Sequence, residues 1–418
     1  MKRRNFFKTA AVGGGIIALA PLSSCVQPTS SNASDPNYTD FELNELTISQ
    51  LQEQMSSGKL TSEEITRKYL DRIELVNNNG PELRAVIEIN PEAIKIAQEL
   101  DIERMVGKLR GPLHGIPVMI KDNIDTGDQM QTTACSLALV GSPAPDDAII
   151  VQKLRDAGAV LLGKTNLSEW ANFRSTKSSS GWSGRGGQVR NPFCLDRSPC
   201  GSSSGTGAAV SANLCAIGIG TETDGSIVCP SGINGIVGIK PTVGLWSGDG
   251  IIPISHSQDT AGPMARTVSD AAVLLGLLAE KVQDYTQYLD VNGLKNTRIL
   301  EDPVYLEALK KSKKLTREDG IDKLMNEHRL DALIAPTNGP AWTIDWVNGD
   351  HFGGGSSDVA AISGYPNITV PAGYVHGLPV GISFFGRAWS EPILIKLAFA
   401  FEQATKHRKA PGFIKEIG

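Results

Sequence analysis

The sequence predicts an α/β protein with a mixed, largely parallel central sheet that is covered by helices. Short apolar segments of strand length alternate with segments of helical pattern from about residue 45 onwards, without an obvious linker. Such alternation is typical of a sheet whose two faces are buried. Hydrophobic residues make up 40% of the 418 residues and charged residues 20%, the balance of a globular protein with a large core. We therefore expect one domain over residues 45–418.

The individual elements follow in chain order. A capping box at residues 61–64 opens a helix that runs to about Val76, and Pro91 begins a second helix. The apolar run at residues 116–120 predicts a buried strand that ends at Lys121. The same reasoning predicts helices at 146–157, 208–212, 267–279 and 391–406, and strands at 159–162, 216–220, 332–334 and 379–385.

The first 25 residues have the pattern of an export signal. A basic segment at residues 2–4 precedes an apolar run at 10–22, which is too short to span a bilayer. The two arginines resemble a twin-arginine signal, and residues 22–25 resemble the lipobox at which bacterial lipoproteins are cleaved and acylated, here on Cys25. Polar residues 26–44 then predict a flexible tether. We expect an exported, periplasmic or cell-envelope lipoprotein that contacts the membrane only through its lipid; an uncleaved N-terminal anchor is the alternative.

Charge and cysteine content narrow the function classes. The net charge of −5 comes from 40 basic and 45 acidic residues without a dense basic run, which argues against nucleic acid as a partner. Five cysteines follow Cys25, and this odd number argues against a full disulfide framework. A local bridge between Cys194 and Cys200 is left open. The six histidines are scattered without ligand spacing, so we expect neither a metal ion nor an organic cofactor.

Three segments carry the candidate chemistry. The first segment, residues 115–123, is an apolar strand that ends in Lys-Asp-Asn. The second, residues 198–207, is a glycine- and serine-rich turn before a helix of small residues. The third, residues 220–227, continues another strand into Gly-Ser. Singly, each segment has a purely structural explanation, because strand ends and helix starts commonly carry such residues. Their order in one chain is what points to a function.

Together the three segments resemble the amidase signature family over most of residues 45–295. The run at 201–241 follows the family signature, and the segments at 220–226 and 253–259 are most similar to bacterial peptide amidases. The resemblance implies the amidase signature fold and the hydrolysis of a carboxylic or peptide amide, with C-terminal peptide amides as one substrate class.

The resemblance also implies a catalytic triad. Ser226 corresponds to the nucleophile, Ser202 to a bridging serine and Lys121 to the base, and the bond before Ser202 is expected to be a cis peptide. Free lysine has a pKa of about 10.4, so Lys121 accepts a proton near neutral pH only if burial lowers that pKa. Ser202 would then pass the proton of Ser226 to Lys121 and return it to the departing amine.

Other predicted site residues surround this triad. A predicted oxyanion hole consists of the backbone N–H groups of Thr223, Asp224, Gly225 and Ser226. Residues 132–136 match a family loop that lines the site, although the family more often has glycine at the position of Cys135. Asp224 likewise replaces a glycine found in many relatives. We predict substrate contacts from Thr133, Cys135 and Ser203; the alternative for Cys135 and Asp224 is that they only fill turns.

The resemblance breaks near residue 300 and resumes at about residue 331. The chain there passes directly into two charged helical segments where relatives continue into a longer α/β excursion, which indicates an internal shortening. A sheet edge exposed by this shortening would be a surface for a homodimer.

Two other functions compete with the amidase hypothesis. Residues 201–205 match the G-x-S-x-G elbow of α/β-hydrolases with Ser203 at the centre, but a strand is not predicted before it. The second alternative is a non-catalytic binding lipoprotein that retains the amidase fold. An amidotransferase component that acts on charged tRNA is a family relative, but an exported protein would not meet that substrate.

Overall fold

The computed structural model describes residues 38–279 and 302–417. The predicted signal peptide at residues 1–25, the lipidation site at Cys25 and most of the predicted tether lie outside these residues, so they stay predictions. No helix in the two described ranges is long and apolar enough to cross a bilayer.

The ordered domain begins earlier than residue 45. Leu43 is completely buried in the main core, and the ring of Phe41 packs on that of Tyr69 with 5.7 Å between centroids. Arg72 reaches back and donates a hydrogen bond of 2.6 Å to the carbonyl of Tyr38. The predicted tether boundary at residue 44 is therefore wrong for residues 38–44. The polar composition of the segment obscured the apolar side chains that anchor it.

Eleven strands occur in the described ranges. In chain order they are β1 Val86–Ile89, β2 Pro117–Lys121, β3 Val160–Thr165, β4 Trp182–Ser183, β5 Gly187–Gln188, β6 Ile217–Glu222, β7 Val237–Lys240, β8 Thr260–Ala265, β9 Leu333–Pro336, β10 Asn367–Val375 and β11 Leu378–Phe385. β4 and β5 form a separate two-stranded sheet.

Eleven α-helices occur in the same ranges. They are α1 Ile48–Ser56, α2 Ser62–Ile73, α3 Ala93–Met105, α4 Ile149–Asp156, α5 Ser204–Ser211, α6 Val228–Ile233, α7 Val268–Leu278, α8 Pro303–Thr316, α9 Asp322–Glu327, α10 Asp358–Ser363 and α11 Glu391–Thr405. The predicted capping box is present, because Thr61 and Glu64 exchange side-chain and backbone hydrogen bonds at the start of α2. A π-helical segment, Arg317–Ile321, joins α8 to α9.

The central sheet of the described residues has nine strands in the order β1-β3-β2-β6-β8-β7-β10-β11-β9. It is mixed, as predicted, and helices cover it. Parallel pairing is confined to β2 with β3 and β2 with β6, and the other neighbours are antiparallel, so the predicted predominance of parallel strands is wrong. The reason is that apolar content indicates burial on both faces but does not encode strand direction.

β9 forms one edge of this sheet. Among the described residues it pairs with β11 alone, and its Ile334 is 63% exposed. An exposed edge of this kind is where the predicted shortening near residue 300 would leave the sheet uncovered. The homodimer itself stays a prediction.

Small residues bring α5 close to the centre of the sheet. Every residue of α5 is buried, and the helix packs against β1, β2, β3, β6 and β8. A Cβ on Gly218 of β6 would stand 2.6 Å from Thr206 Cγ2 of α5, and a Cβ on Gly205 would stand 2.3 Å from the carbonyl oxygen of Ala85. The glycines therefore set the short distance between helix and sheet, and the chain just before α5 reaches the ends of β2 and β6.

A disulfide joins Cys200 to Cys229. Cys200 precedes the Gly201–Ser202 bond, and Cys229 lies in the first turn of α6, three residues after Ser226. Cys194 is free and its thiol donates to Asp196, so the bridge that the sequence left open forms with a different partner. The correct partner lies 29 residues away along the chain and is brought near only by the fold.

We predict that a non-reducing peptide map will show Cys200 linked to Cys229. Replacing both with serine is expected to lower the free energy of unfolding by about 3–4 kcal/mol, because a closed loop of this length restricts the unfolded chain. Cys194→Ser is the matched control and should retain the link. A map that joins Cys194 to Cys200 would contradict the structure.

Candidate active site

Lys121 and Ser202 meet at the carboxyl end of the parallel strands. β2 is buried along its whole length and ends at Lys121. The Lys121 Nζ atom lies 2.8 Å from Ser202 Oγ, 2.8 Å from Thr221 Oγ1 and 3.1 Å from the carbonyl oxygen of Thr221. Strands that run in parallel end at the same edge of a sheet, so β2 and β6 bring the lysine and Thr221 together.

The electrostatic state of Lys121 follows from its burial. Its side chain is completely buried, and no carboxylate of the described residues lies within 4.0 Å of Nζ. Burial lowers the pKa of Lys121 to about 7, although the more distant Cys135, Asp259 and Glu222 act in the opposite direction. A large fraction of the lysine is therefore neutral near pH 7 and able to accept a proton.

Ser226 lies on the turn between β6 and α6, which is bonded to the residue after Ser202; within the described ranges no hydrogen bond joins the Ser226 and Ser202 hydroxyls. The Ser203 N–H donates 3.1 Å to the carbonyl of Ser226, and the Ser168 N–H donates 3.1 Å to the carbonyl of Ser202. These two bonds fasten the serine-rich turn to its neighbours. The Gly201–Ser202 peptide bond is cis, which confirms the expectation from the family resemblance. Ser226 is buried, with 8% of its surface exposed.

The turn that precedes α6 offers a row of backbone donors. Glu222 accepts hydrogen bonds from the N–H groups of Ile227 at 2.8 Å and Val228 at 3.0 Å, so the first donors of α6 are occupied. Among the described residues, no protein acceptor takes up the four N–H groups of the predicted oxyanion hole, which belong to Thr223, Asp224, Gly225 and Ser226. Gly225 has φ +74°, a backbone conformation that favours glycine. The turn is thus suited to bind a developing negative charge.

The side chain of Asp224 points away from this row toward α10. Ser357 donates to its Oδ1 at 2.6 Å. Although the residue as a whole is exposed, partial burial of the carboxylate raises the pKa of Asp224 to about 7, and Glu222 and Asp358 add to the rise. Asp224 is therefore another group near the site whose pKa lies around neutral pH.

Two predicted substrate contacts hold a loop instead. Thr133 donates through its hydroxyl to Asp122 Oδ2, and the same oxygen accepts from the Cys135 N–H at 3.0 Å. The Cys135 thiol accepts from the Leu167 N–H at 3.2 Å, and its backbone has a positive φ of 57°. Both side chains are completely buried. We therefore assign Thr133 and Cys135 as positioning residues, which corrects the predicted substrate contacts in favour of the structural alternative.

Ser203 also has a structural partner. Its hydroxyl donates 3.1 Å to the carbonyl of Thr221 and accepts 3.2 Å from the Thr221 N–H, so it bonds to the end of β6 and is completely buried. This corrects the predicted substrate contact. It also removes the nucleophile that the α/β-hydrolase alternative requires, because an elbow serine presents its hydroxyl at the top of the sheet.

A cleft of about 760 Å³ opens at Ser202. This volume is in the range of cavities that hold small ligands. Its lining is mostly apolar, with contributions from Trp246 and Ile252, and it includes the polar residues Thr221, Thr223 and Asn123. In the described ranges, no group of three or more histidine, cysteine or carboxylate side chains is placed to hold a metal ion.

Sequence reasoning missed several residues that build the site. Thr221 contacts Lys121 Nζ through both its hydroxyl and its carbonyl, and Asn123 donates 3.1 Å to the same hydroxyl. The Asp122 carboxylate accepts hydrogen bonds from the loop at residues 133–135. Its Oδ1 lies 3.3 Å from Arg185 Nη1. Asp122 and Asn123 directly follow Lys121 in the sequence, and this adjacency is the signal by which sequence analysis could have found them.

Comparison with known proteins agrees with this geometry. A family model described as Amidase matches residues 64–300, more than half of the chain. The chain belongs to the amidase family. With the nine-stranded sheet and the Lys121–Ser202 contact in place, this membership identifies the protein as an amidase, a hydrolase of amide bonds, and it favours the enzyme over the non-catalytic binding protein.

Three relatives show how far the similarity of this amidase extends. A probable amidase of Arabidopsis thaliana is 37% identical, with 90% of this chain and 93% of the relative covered. The native peptide amidase of Stenotrophomonas maltophilia is 42% identical in its solved structure, with a TM-score of 0.83, 90% of this chain and 100% of the other covered. A glutamyl-tRNA(Gln) amidotransferase component from Carboxydothermus hydrogenoformans is 30% identical, with 88% of this chain and 99% of the relative covered.

The alignment with the plant amidase spans 494 positions, more than the 418 residues of this chain. The relative therefore contains segments without a counterpart here. This agrees with an internal shortening of the chain.

We predict that the acidic limb of the pH–rate profile of kcat/KM will have an apparent pKa near 7. Lys121 must be neutral to accept a proton, so activity is expected to fall about tenfold for each pH unit below this value. An unshifted lysine would place the limb above pH 10. Because Asp224 also titrates near pH 7, Asp224→Asn is the control and should retain the limb. A limb that disappears in this variant would assign it to Asp224 instead.

Proposed function

We propose that this amidase cleaves the C-terminal amide of peptides, or a closely similar carboxamide, through a Ser226–Ser202–Lys121 triad. The observation that carries the proposal is the 2.8 Å contact between a completely buried Lys121 Nζ and Ser202 Oγ, next to the turn that bears Ser226. Serine attacks an amide only if a base removes its proton, and a desolvated lysine provides that base without a histidine.

The reaction proceeds in two halves. Ser226 Oγ attacks the amide carbon while its proton passes to Ser202, whose own proton moves to the neutral Lys121 Nζ. The oxygen of the carbonyl becomes negative and binds the backbone donors that precede α6. As the C–N bond breaks, Lys121 returns a proton through Ser202 to the nitrogen, which leaves as ammonia or an amine. The acyl group remains on Ser226 as an ester.

Water completes the cycle. It attacks the ester carbon, gives one proton to Ser202 and Lys121, and releases the carboxylic acid as Ser226 regains its proton. The same donors bind the second tetrahedral oxyanion. Because Lys121 alternates between neutral and protonated forms, a pKa near the working pH allows both proton transfers at comparable rates.

The substrate class is supported by likeness and by the cleft. The peptide amidase at 42% identity aligns over its full length with this chain. A mostly apolar cleft beside Ser202 offers room for side chains of a short peptide. The amidotransferase relative at 30% identity suggests a different role, on glutamyl-tRNA(Gln), but the predicted export of this chain disfavours that substrate.

We expect the protein without its signal segment to release ammonia from peptide amides, and Ser226→Ala to lose activity by at least about 10⁴-fold, as removal of a nucleophile does in other serine hydrolases. Ammonia release is measured over a panel of peptide amides and simple carboxamides. Ser231→Ala is a matched control, because this serine lies within α6, the helix that follows Ser226, and outside the triad. Full activity of Ser226→Ala would refute the assigned nucleophile.

We further propose that the protein is exported and anchored by a lipid on Cys25. The signal-like residues 1–25 support this, and so does the Cys200–Cys229 disulfide, since such bonds persist in oxidising compartments.

Metabolic labelling with a fatty acid in a bacterial host tests the anchor. The wild-type chain is expected to incorporate the label and sediment with membranes, whereas Cys25→Ala is expected to do neither. Cys194→Ser is the control for unspecific thiol labelling. Incorporation of label into Cys25→Ala would contradict the proposal.

A further inference from the structure

The cleft beside Ser202 is lined by two cationic side chains. α8 and the π-helical segment that follows it place Lys313 and Arg317, four residues apart, among the residues that line the cleft. Ser202 lines the same cleft, so its volume is shared by the reacting group and by these two cations. Both come from the part of the chain that directly follows the break in family resemblance.

The two cationic groups lie close together. Lys313 Nζ and Arg317 Nη2 stand 3.2 Å and 3.4 Å from the point that a Cβ would occupy on Gly364. Gly364 ends α10 with φ +76°, so a residue without a side chain is favoured at this position. Lys240, which is buried nearby, adds a third positive charge whose effect on Lys313 is repulsive.

Backbone carbonyls fix the orientation of both groups. Lys313 Nζ donates to the carbonyls of Ser257 at 3.1 Å and Ser363 at 3.3 Å, and Arg317 Nε donates to Ser363 at 2.7 Å. The guanidinium plane also stacks near the ring of Tyr365, 5.2 Å from its centroid. These contacts leave one N–H of the ammonium and the two Nη groups without a protein acceptor in the described ranges.

No carboxylate of the described residues pairs with either cation. The neighbouring Lys314 has Asp319 as its partner, whereas Lys313 and Arg317 have none within 4.0 Å. Three carboxylates line the cleft, Glu222, Asp249 and Asp259, and none of them lies within 4.0 Å of Lys313 or Arg317 in the described ranges. Glu222 is held by the start of α6, and Asp259 accepts from Thr223 and from two backbone N–H groups.

Partly buried cations of this kind lack the compensation that proteins usually provide. Burial and the neighbouring Arg317 and Lys240 lower the pKa of Lys313 to about 8, which indicates the cost of holding these charges together. An anion would relieve that cost. A guanidinium with free Nη groups beside an ammonium matches a carboxylate, because both can form charge-assisted hydrogen bonds with its two oxygens.

We propose that Lys313 and Arg317 bind a carboxylate of the substrate in the cleft that Ser202 also lines. This inference rests on the proposed amidase function and adds a substrate class to it: amides whose acyl part carries a free carboxylate, separated from the amide by an apolar portion that fits the walls around Trp246 and Ile252. Arg317 and Lys313 are thus specificity-determining residues.

The test uses pairs of peptide amides that differ in one terminal charge. Each peptide amide, of one, two or three residues, is prepared with an N-succinyl group and with the neutral methoxysuccinyl ester. The measured quantity is the ratio of kcat/KM for the succinyl form to that for the ester. At the length that spans the cleft, we expect a ratio of at least about 10 for the wild-type enzyme, since a charge-assisted hydrogen bond contributes about 1.5–3 kcal/mol.

Variants then assign the preference to the cation pair. Arg317→Gln and, independently, Lys313→Gln are expected to bring the ratio down toward 1, and Arg317→Glu to bring it below 1. Lys310→Gln removes an exposed charge from the same helix outside the cleft and should keep the wild-type ratio. A wild-type ratio near 1 at every length, or a ratio that stays unchanged in the Arg317 and Lys313 variants, would overturn the inference.

Binding separates this inference from the proposed catalysis. Calorimetric titration of Ser226→Ala with both forms of each amide measures Kd without turnover. If no amide is hydrolysed by the wild type but the succinyl form binds at least about tenfold more tightly, and the Arg317→Gln change removes this difference, the carboxylate site stands while the proposed reaction fails. Equal Kd values for the two forms would refute the carboxylate site even if hydrolysis is observed.

Discussion

The buried Lys121 is the constraint on which the rest of the active site depends. An ammonium without a carboxylate partner is unstable in a protein interior, and here the protein responds with three neutral oxygen contacts at 2.8–3.1 Å from Ser202 and Thr221. The hydroxyls of Ser202 and Thr221 can accept or donate as the lysine changes protonation state, whereas the Thr221 carbonyl only accepts. A carboxylate at the same place would have fixed the positive charge and removed the base.

The surrounding structure keeps these neutral contacts in place. Thr221 reaches Lys121 because β6 lies parallel to β2, and Ser202 reaches it because the small residues of α5 allow the helix to approach the sheet. The Cys200–Cys229 disulfide links the two turns that carry Ser202 and Ser226. Asp122, next to the lysine, accepts a hydrogen bond from the N–H of Cys135, whose backbone has a positive φ. These features hold Lys121, Ser202 and Ser226 in position, and none of them brings a carboxylate into contact with the Lys121 ammonium.

Much of this arrangement could be predicted from sequence, and the failures have physical causes. The strand that ends at Lys121 and the capped helix α2 are local patterns and were confirmed. β8, by contrast, contains Gly262 and Pro263, and β10 has a bulge between Pro371 and Gly373, so neither resembles an isolated strand. These segments become strands because their neighbours in the sheet bury them.

The predicted site residues divide in a similar way. The contact between Lys121 and Ser202 agrees with the sequence motifs, because each motif is contiguous with the element that carries its residue; their catalytic roles stay a prediction. The roles of Thr133, Cys135 and Ser203 depend on which direction a side chain takes within a turn, and turns of the same sequence pattern allow both directions. The partner of Cys200 depends on contacts between distant parts of the chain, which spacing alone does not reveal.

The strand order has an evolutionary consequence. β2 and β6, which carry the lysine and lead to Ser226, are neighbours, whereas β9 lies at the far edge with four strands between it and β6. The chain can therefore gain or lose material next to β9 while the reacting atoms keep their positions. α8, which precedes β9 in the chain, lines the cleft with its own side chains. One inherited reaction can in this way acquire new substrates through changes at a single flank of the sheet.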